Sequence, residues 1–451
     1  MTLHLSYRTR RHLAERLTHL PLGEAHYSYT HVYDKFAAML RASGVLFREL
    51  PMPEIYPGHL VPDIFAPFGG RVMHIAFKPF EELRLLKGAF NIAHVAWEHD
   101  KLPSSRGRPA DDPFVRSSFN DYVQVLSLFD EIWVGSEFAR DVFVRHGLTH
   151  TYVVPAPIAV GGVHLQNIRP IPPEADEPKM EFIRAEAGIL HRFRRERTRL
   201  PARAWLSGEV AATRRRGGRV FVSVINPGDQ RKNVIASLLG FQKHWYATGR
   251  KDLLVMKLLV DGKQKFLWDA AIHIRTRFEA AGYEMETLDC PGILLSAGQL
   301  TSAEMGWLYS VADFYLCTSF AEGQNLPILE GMAAGAVPVS PHVTAMTDYL
   351  TVENSFRIAT VRTPMTYDLA RHYGLHDVQW HHASPEAVAE ALRAACRPGH
   401  DLAPMRRAAH EMIVSSYSPS VILRQMNERL DAVPRLQVVR SREATRQTVT
   451  A

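Results

Sequence analysis

Two carboxylates, Glu322 and Glu330, stand with seven residues between them in Ser319-Phe320-Ala321-Glu322-Gly323-Gln324-Asn325-Leu326-Pro327-Ile328-Leu329-Glu330-Gly331-Met332-Ala333-Ala334-Gly335. The apolar run Phe314-Tyr315-Leu316-Cys317-Thr318 before them reads as a buried parallel strand. Pro327 suits the first turn of a helix and Gly335 its exit. The predicted order is strand, glycine-bearing loop, short helix. A helix start beyond the carboxyl end of a strand turns its free N–H groups toward an anion. Glu322 on the loop and Glu330 in the first turns can face one crevice. Amides for phosphates, with carboxylates for ribose or sugar hydroxyls, are what a nucleotide-sugar site needs. The plain alternative is a strand-to-helix turn with solvated glutamates.

The block from Tyr309-Ser310-Val311-Ala312-Asp313 through Pro338-Val339-Ser340 resembles the E-x7-E region of the retaining glycosyltransferases of family 4. That family has the α/β GT-B fold, two Rossmann-like parallel-sheet domains facing a central cleft. Two glutamates at one spacing recur by chance, so the resemblance rests on the combination of strand, Glu-Gly, Leu-Pro, Glu-Gly-Met-Ala-Ala-Gly and Val-Pro-Val. It is strongest from Arg219 to Leu350 and weakest before Gly69 and from Gly161 to Arg216. It implies a nucleotide diphosphate sugar on the C-terminal side of the cleft, an acceptor on the N-terminal side, and transfer with retention. By the same resemblance Glu322 faces the donor sugar, Glu330 the ribose, and Gly323, Asn325 and Leu326 offer amides to the donor. Gln324-Asn325 replaces the family's Phe-Gly. Asn accepts the positive φ of a glycine, so the amides survive, while the identity of the donor sugar stays open.

Asn226-Pro227-Gly228-Asp229-Gln230-Arg231-Lys232-Asn233 resembles the family's basic loop ending in Lys-Asn, which grips the donor diphosphate. Cations there stabilise the charge that develops on a leaving diphosphate. The family's arginine precedes the lysine by five residues, where this chain has Pro227, so the role passes to Arg231 beside Lys232. Pro21-Leu22-Gly23-Glu24-Ala25-His26-Tyr27 resembles the glycine loop that faces the donor phosphate, with Gly23 as its glycine. Trp97-Glu98-His99-Asp100-Lys101-Leu102-Pro103 follows a predicted strand, where open α/β sheets place ligands. It resembles a Trp-Glu-x-x-x-Leu-Pro element of one branch of the family. The implied order of catalytic candidates is Glu98, then His99, then Asp100; acids that satisfy backbone N–H groups are the rival reading.

No D-x-D triplet is present, so no metal site is expected, and the donor is a substrate rather than a cofactor. Three cysteines, Cys290, Cys317 and Cys396, are too few and too scattered for a disulfide framework and fit a reducing cytoplasm. No apolar run is long enough to cross a membrane, and no signal-peptide core is read near residue 1. A formal charge of +6 suits a phosphorylated substrate and peripheral contact with the anionic inner face of a membrane. Motifs for nucleic acid are missing.

With 451 residues, more than one core is expected. The predicted division is an N-terminal acceptor-binding domain over 1–160, linker and basic insertion over 161–216, and a C-terminal nucleotide-sugar domain over 217–415. A crossover helix over 416–437 and a polar tail over 438–451 follow. The first strand of the N-terminal domain is unmarked, and residues 8–20 read as a basic surface helix, with an organelle transit peptide the alternative on the same composition. The expected function is retaining transfer of a sugar to a glycan or lipid-linked acceptor, of the kind used in bacterial surface polysaccharides. A GT-B sugar-nucleotide epimerase and a non-catalytic glycan- or partner-binding relative are the alternatives; the intact Glu322, Glu330 and Lys232 set favours the transferase.

Overall fold

The computed structural model describes residues 2–7, 27–50, 72–103, 121–159, 179–180, 182–186, 204–259, 266–284, 287–297, 300–366, 370, 375 and 377–432. Its first six strands are β1 (Thr2–Tyr7), β2 (Phe47–Glu49), β3 (Val72–Phe77), β4 (Phe90–Val95), β5 (Glu131–Val134) and β6 (Thr151–Val153). They form one parallel sheet in the order β2-β1-β3-β4-β5-β6. The chain continues through β7 (Lys179–Met180), β8 (Ile183–Ala185), β9 (Ala204–Trp205), β10 (Val220–Ile225), β11 (Leu253–Leu258) and β12 (Cys290–Ser296). Then come β13 (Phe314–Leu316), β14 (Val337–Ser340), β15 (Phe356–Arg357), β16 (Val361–Pro364) and β17 (Gln379–His382). The second sheet runs β15-β14-β13-β10-β11-β12-β8 and is parallel except for β8.

Strands covered on both faces are near-continuous apolar runs. Val220-Phe221-Val222-Ser223-Val224-Ile225 and Leu253 to Leu258 are buried along their whole length. The expected β1 signal is missing because β1 alternates apolar and polar residues, yet His4 and Ser6 are fully buried. For Ser6 a buried chain of hydrogen bonds makes this tolerable: Ser6 Oγ meets His74 Nε2 at 2.8 Å, and His74 Nδ1 donates to Asn91 Oδ1 at 2.9 Å. Burial lowers the His74 pKa to about 4, so the ring is neutral.

Ser136 caps the helix Glu137–Arg145 by accepting from Ala139 N, and Gly147 beyond it takes φ +89°. Asn325, at φ +59°, caps the helix Leu326–Ala333, which carries Pro327 in its first turn and Gly335 at φ +85° beyond its end. Ser384 caps the helix Pro385–Ala395. The helix Pro419–Ala432 puts Ile422, Met426 and Leu430 into the core of the N-terminal sheet, so the chain does cross back. Within the 161–216 span, β8 completes the edge of the second sheet, and Leu206 and Val210 of the helix Leu206–Arg215 join its core. The basic segments 8–20 and 192–199 and the tail lie outside the described residues.

In the second sheet the chain builds outward from β10 through β11 to β12, then restarts at β13 on the other side. The topological switch point is therefore between β10 and β13, where open sheets form a ligand crevice. In the first sheet the corresponding point lies between β1 and β3. No helix among the described residues is long and apolar enough to cross a membrane.

Candidate active site

The loops that leave β10 and β13 flank the switch point, and they carry Arg231, Lys232 and Glu322. Asp229 starts a single 3-10 turn, Gln230–Lys232, by accepting from Arg231 N, and Asn233 ends it at φ +50°. This turn aims both cations at Glu322. Lys232 Nζ lies 2.6 Å from Glu322 Oε1, and Arg231 Nη1 lies 2.8 Å from Oε2. Thr344 Oγ1 holds the Glu322 backbone on both sides, accepting from its N–H at 2.8 Å and donating to its C=O at 3.1 Å. Glu322 is only 4% exposed. Burial opposes its charge, but Lys232 and Arg231 outweigh burial and hold its pKa at about 2.

Arg231 also faces Glu98 of the N-terminal half, Nε to Oε1 at 3.2 Å, and Asp229, Nη2 to Oδ2 at 3.0 Å. Burial opposes its charge, and the carboxylates of Asp229, Glu98 and Glu322 nevertheless raise its pKa. Two cations thus meet three carboxylates. The site is satisfied internally, and any diphosphate must take cations from carboxylates.

Glu330 is held differently. Its Oε1 accepts from Lys35 Nζ at 2.7 Å and from His31 Nε2 at 3.3 Å. Both belong to the helix Tyr27–Ala42 of the N-terminal half. Its Oε2 accepts from Tyr309 OH at 3.0 Å. Burial works against the charge here too, and Lys35 with His31 lowers the pKa to about 2.

The residues between the two glutamates seat one half of the molecule on the other. A Cβ on Gly323 would lie 3.2 Å from both Trp97 N and Trp97 O, so the close approach of the two backbones favours glycine there. Gln324 spends its whole amide on Ala156, Oε1 accepting from the N–H at 3.0 Å and Nε2 donating to the C=O at 3.1 Å. Asn325 Oδ1 accepts from Ile328 N at 3.3 Å. Leu326 packs against apolar clusters of both halves. The Gln324-Asn325 departure therefore has a structural use: one residue docks the other half and the next caps the helix.

Strand β4 ends at Val95, so strand alternation does not reach residues 98–100. Glu98 joins the Arg231 cluster. His99 is 3% exposed, with its ring 5.2 Å from that of Trp97 and 6.5 Å from that of Trp380 on β17. Burial lowers its pKa, with Arg231 adding to this and Glu98 opposing, so the imidazole is neutral. Asp100 turns away toward Arg362 on β16 at 4.0 Å. Gly23 lies outside the described residues. Asp348 accepts from Glu137 N at 2.7 Å and so caps a helix of the other half.

Lys35, His31, Asp229, Thr344 and Trp380 were not read as site residues from sequence. His31 and Lys35 stand four apart, on one face of a helix, which is the signal that was available. Two histidine pairs, His146/His150 and His372/His376, have a spacing that also suits metals on a helix. His146 Nδ1 instead donates to Val142 O at 2.8 Å and His150 Nε2 to Leu126 O at 3.5 Å, while the second pair lies outside the described residues. Among the described residues, His244, Asp252 and Cys396 form a grouping of metal-ligand type. Asp252 precedes β11, at the sheet end opposite Glu322, and it is bonded to His244 Nε2 and Arg219 N.

No protein-family model and no curated protein sequence matches the chain. Solved structures do. HepE of Anabaena, in complex with UDP and glucose, is 10% identical, with 96% of this chain and 100% of that one covered at a TM-score of 0.54. An E. coli trehalose-6-phosphate structure bound with UDP-2-fluoro glucose is 12% identical, with 96% and 100% covered at 0.53. The N-terminal domain of Candida albicans trehalose-6-phosphate phosphatase is 11% identical, with 95% and 96% covered at 0.52. Likeness at such identities concerns the backbone. With its two parallel-sheet α/β domains and these neighbours, the chain has the GT-B fold.

Proposed function

We propose that this chain is a retaining glycosyltransferase, similar to family 4, that takes a nucleotide diphosphate sugar as donor. The observation that carries the reading is the ionised Glu322 between Lys232 and Arg231 at the β10–β13 switch point, with Glu98 brought to Arg231 from the other half. That set supplies cations for a diphosphate and a carboxylate for sugar hydroxyls in one buried cluster. The structural neighbours solved with UDP, or with a UDP sugar, support the donor class.

On this reading the donor diphosphate displaces Glu322 and Glu98 from the two cations. Glu322 then accepts hydrogen bonds from the donor sugar, and Glu98 turns to the acceptor side, with neutral His99 beside it. The bond from the anomeric carbon to the phosphate oxygen breaks, and the acceptor oxygen bonds to that carbon on the same face. The acceptor proton passes to the leaving phosphate. Arg231, Lys232 and the helix start at Leu326 balance the developing charge, so no divalent metal is needed. The acceptor is a glycan or lipid-linked sugar, in a surface-polysaccharide pathway on the cytoplasmic face of an anionic membrane. The formal charge of +6 supports that setting. The test is a panel of nucleotide sugars assayed for hydrolysis and transfer in excess chelator. Turnover of at least one is expected; loss of activity that only a metal restores rejects the mechanism.

A further inference from the structure

Glu330 is the one motif carboxylate whose partners come from both halves of the molecule. A carboxylate offers about four acceptor positions. On Oε1, Lys35 at 2.7 Å and His31 at 3.3 Å take two; on Oε2, Tyr309 OH at 3.0 Å takes one. The position that remains, on Oε2, suits one ligand hydroxyl. Lys35 and His31 are one turn apart on the helix Tyr27–Ala42, and their side chains are 16% and 30% exposed. That helix is anchored: Phe36, Ala37 and Leu40 are buried in the N-terminal core, and the helix Pro419–Ala432 packs into the same core. Its cations therefore cannot follow Glu330 if the halves separate.

We propose that Lys35 and His31 are positioning residues for the donor nucleoside. They hold Glu330 ionised and turned so that its last acceptor position meets a ribose hydroxyl. Because they sit on the N-terminal half, the nucleoside seat is complete only when the halves are closed. Nucleoside binding and domain closure become one event, with the N-terminal half contributing to a donor seat built mostly from C-terminal residues. This rests on the donor reading above. A competing outcome is that Lys35 and His31 merely occupy Glu330, so that removing them frees it for ligand.

Calorimetric titration of UDP and GDP into wild type, K35M, K35R, E330Q and the K35M/E330Q double variant decides. K35M should weaken the better nucleoside diphosphate by about tenfold or more, the loss of one charge-assisted contact. K35R should restore most of it, and the double variant should bind no worse than the weaker single variant, because both remove one unit. A purely structural lysine would give additive losses and no such rescue pattern. Should K35M fail to fold, H31Q, which leaves Lys35 in place, is read the same way. Affinity in K35M equal to or tighter than wild type overturns the proposal. If wild type binds neither nucleotide while remaining folded, the donor reading falls first and takes this one with it.

Discussion

Glu322 and Glu330 reach the same acidity by different routes. Both sit at a pKa of about 2 against the pull of burial. Glu322 obtains this from Lys232 and Arg231, on the adjacent loop of its own sheet. Glu330 obtains it from Lys35 and His31, on the other half of the molecule. One carboxylate is thus set by local folding and keeps its charge in any arrangement of the halves. The other is set by how the halves meet.

The comparison breaks most readily at turnover. Glu322→Gln should lower kcat by about 100-fold or more, the scale of removing a preorganised charge from a transition-state site. Glu330→Gln should raise the apparent Kd for nucleoside diphosphate by about tenfold and leave kcat nearly intact. Equal, small effects from both in steady-state kinetics would mean that the motif is structural.

Acid unfolding sharpens the contrast. A carboxylate with a folded pKa near 2 and an unfolded value of about 4.3 contributes stability that is present above pH ~4.3 and lost as pH falls toward 2. Thermal melts should therefore drop steeply between about pH 4 and pH 2. Carboxyl NMR of K35M should show the Glu330 titration moving up while that of Glu322 stays. Parallel movement would end the distinction drawn here.

Gly323→Ala tests closure without touching a charge. Its Cβ would press on the Trp97 backbone at 3.2 Å, so the halves must part slightly or strain. A loss of about 1–3 kcal/mol in chemical denaturation is expected, with weaker nucleotide binding. Unchanged values would place the contact outside the closed form in solution.

The smallest effect concerns Asp348. Burial, with Glu137 and Asp141 nearby, raises its pKa to about 6, while the Glu137 N–H opposes the shift. A raised carboxylate favours the folded state below its unfolded pKa, and that benefit is lost as pH rises through 6. Asp348→Asn keeps an acceptor for Glu137 N and removes the charge. It should melt slightly higher than wild type at pH 8, by under about 1 kcal/mol given its partial exposure, and converge with wild type near pH 4. A lower melt at pH 8 contradicts the assignment.

What could be read from the sequence follows from physics. Buried parallel strands are apolar runs, so β13 is legible, and Pro327 and Gly335 mark the start and exit of the helix that follows it. Glu322 with Lys232 was legible because both lie on loops that leave adjacent strands. β1 was not legible, because its buried Ser6 is satisfied by His74, 68 residues away. The pairing of Glu330 with Lys35 spans a still longer separation, and no local pattern encodes it. Gln324 looked like a defect in a family motif, and only its contact with Ala156 gives it a purpose. Trp380 carries no local signal, because the β16–β17 hairpin gains its core by packing against the other half.

The central claim is that Arg231 and Lys232 form a diphosphate seat in the cleft. Calorimetric titration of UDP and GDP into wild type and into Arg231→Ala and Lys232→Ala tests it most directly. One nucleotide should bind wild type, and each variant should lose roughly 1.5–3 kcal/mol of binding. Folded variants that bind that nucleotide as tightly as wild type would contradict the account.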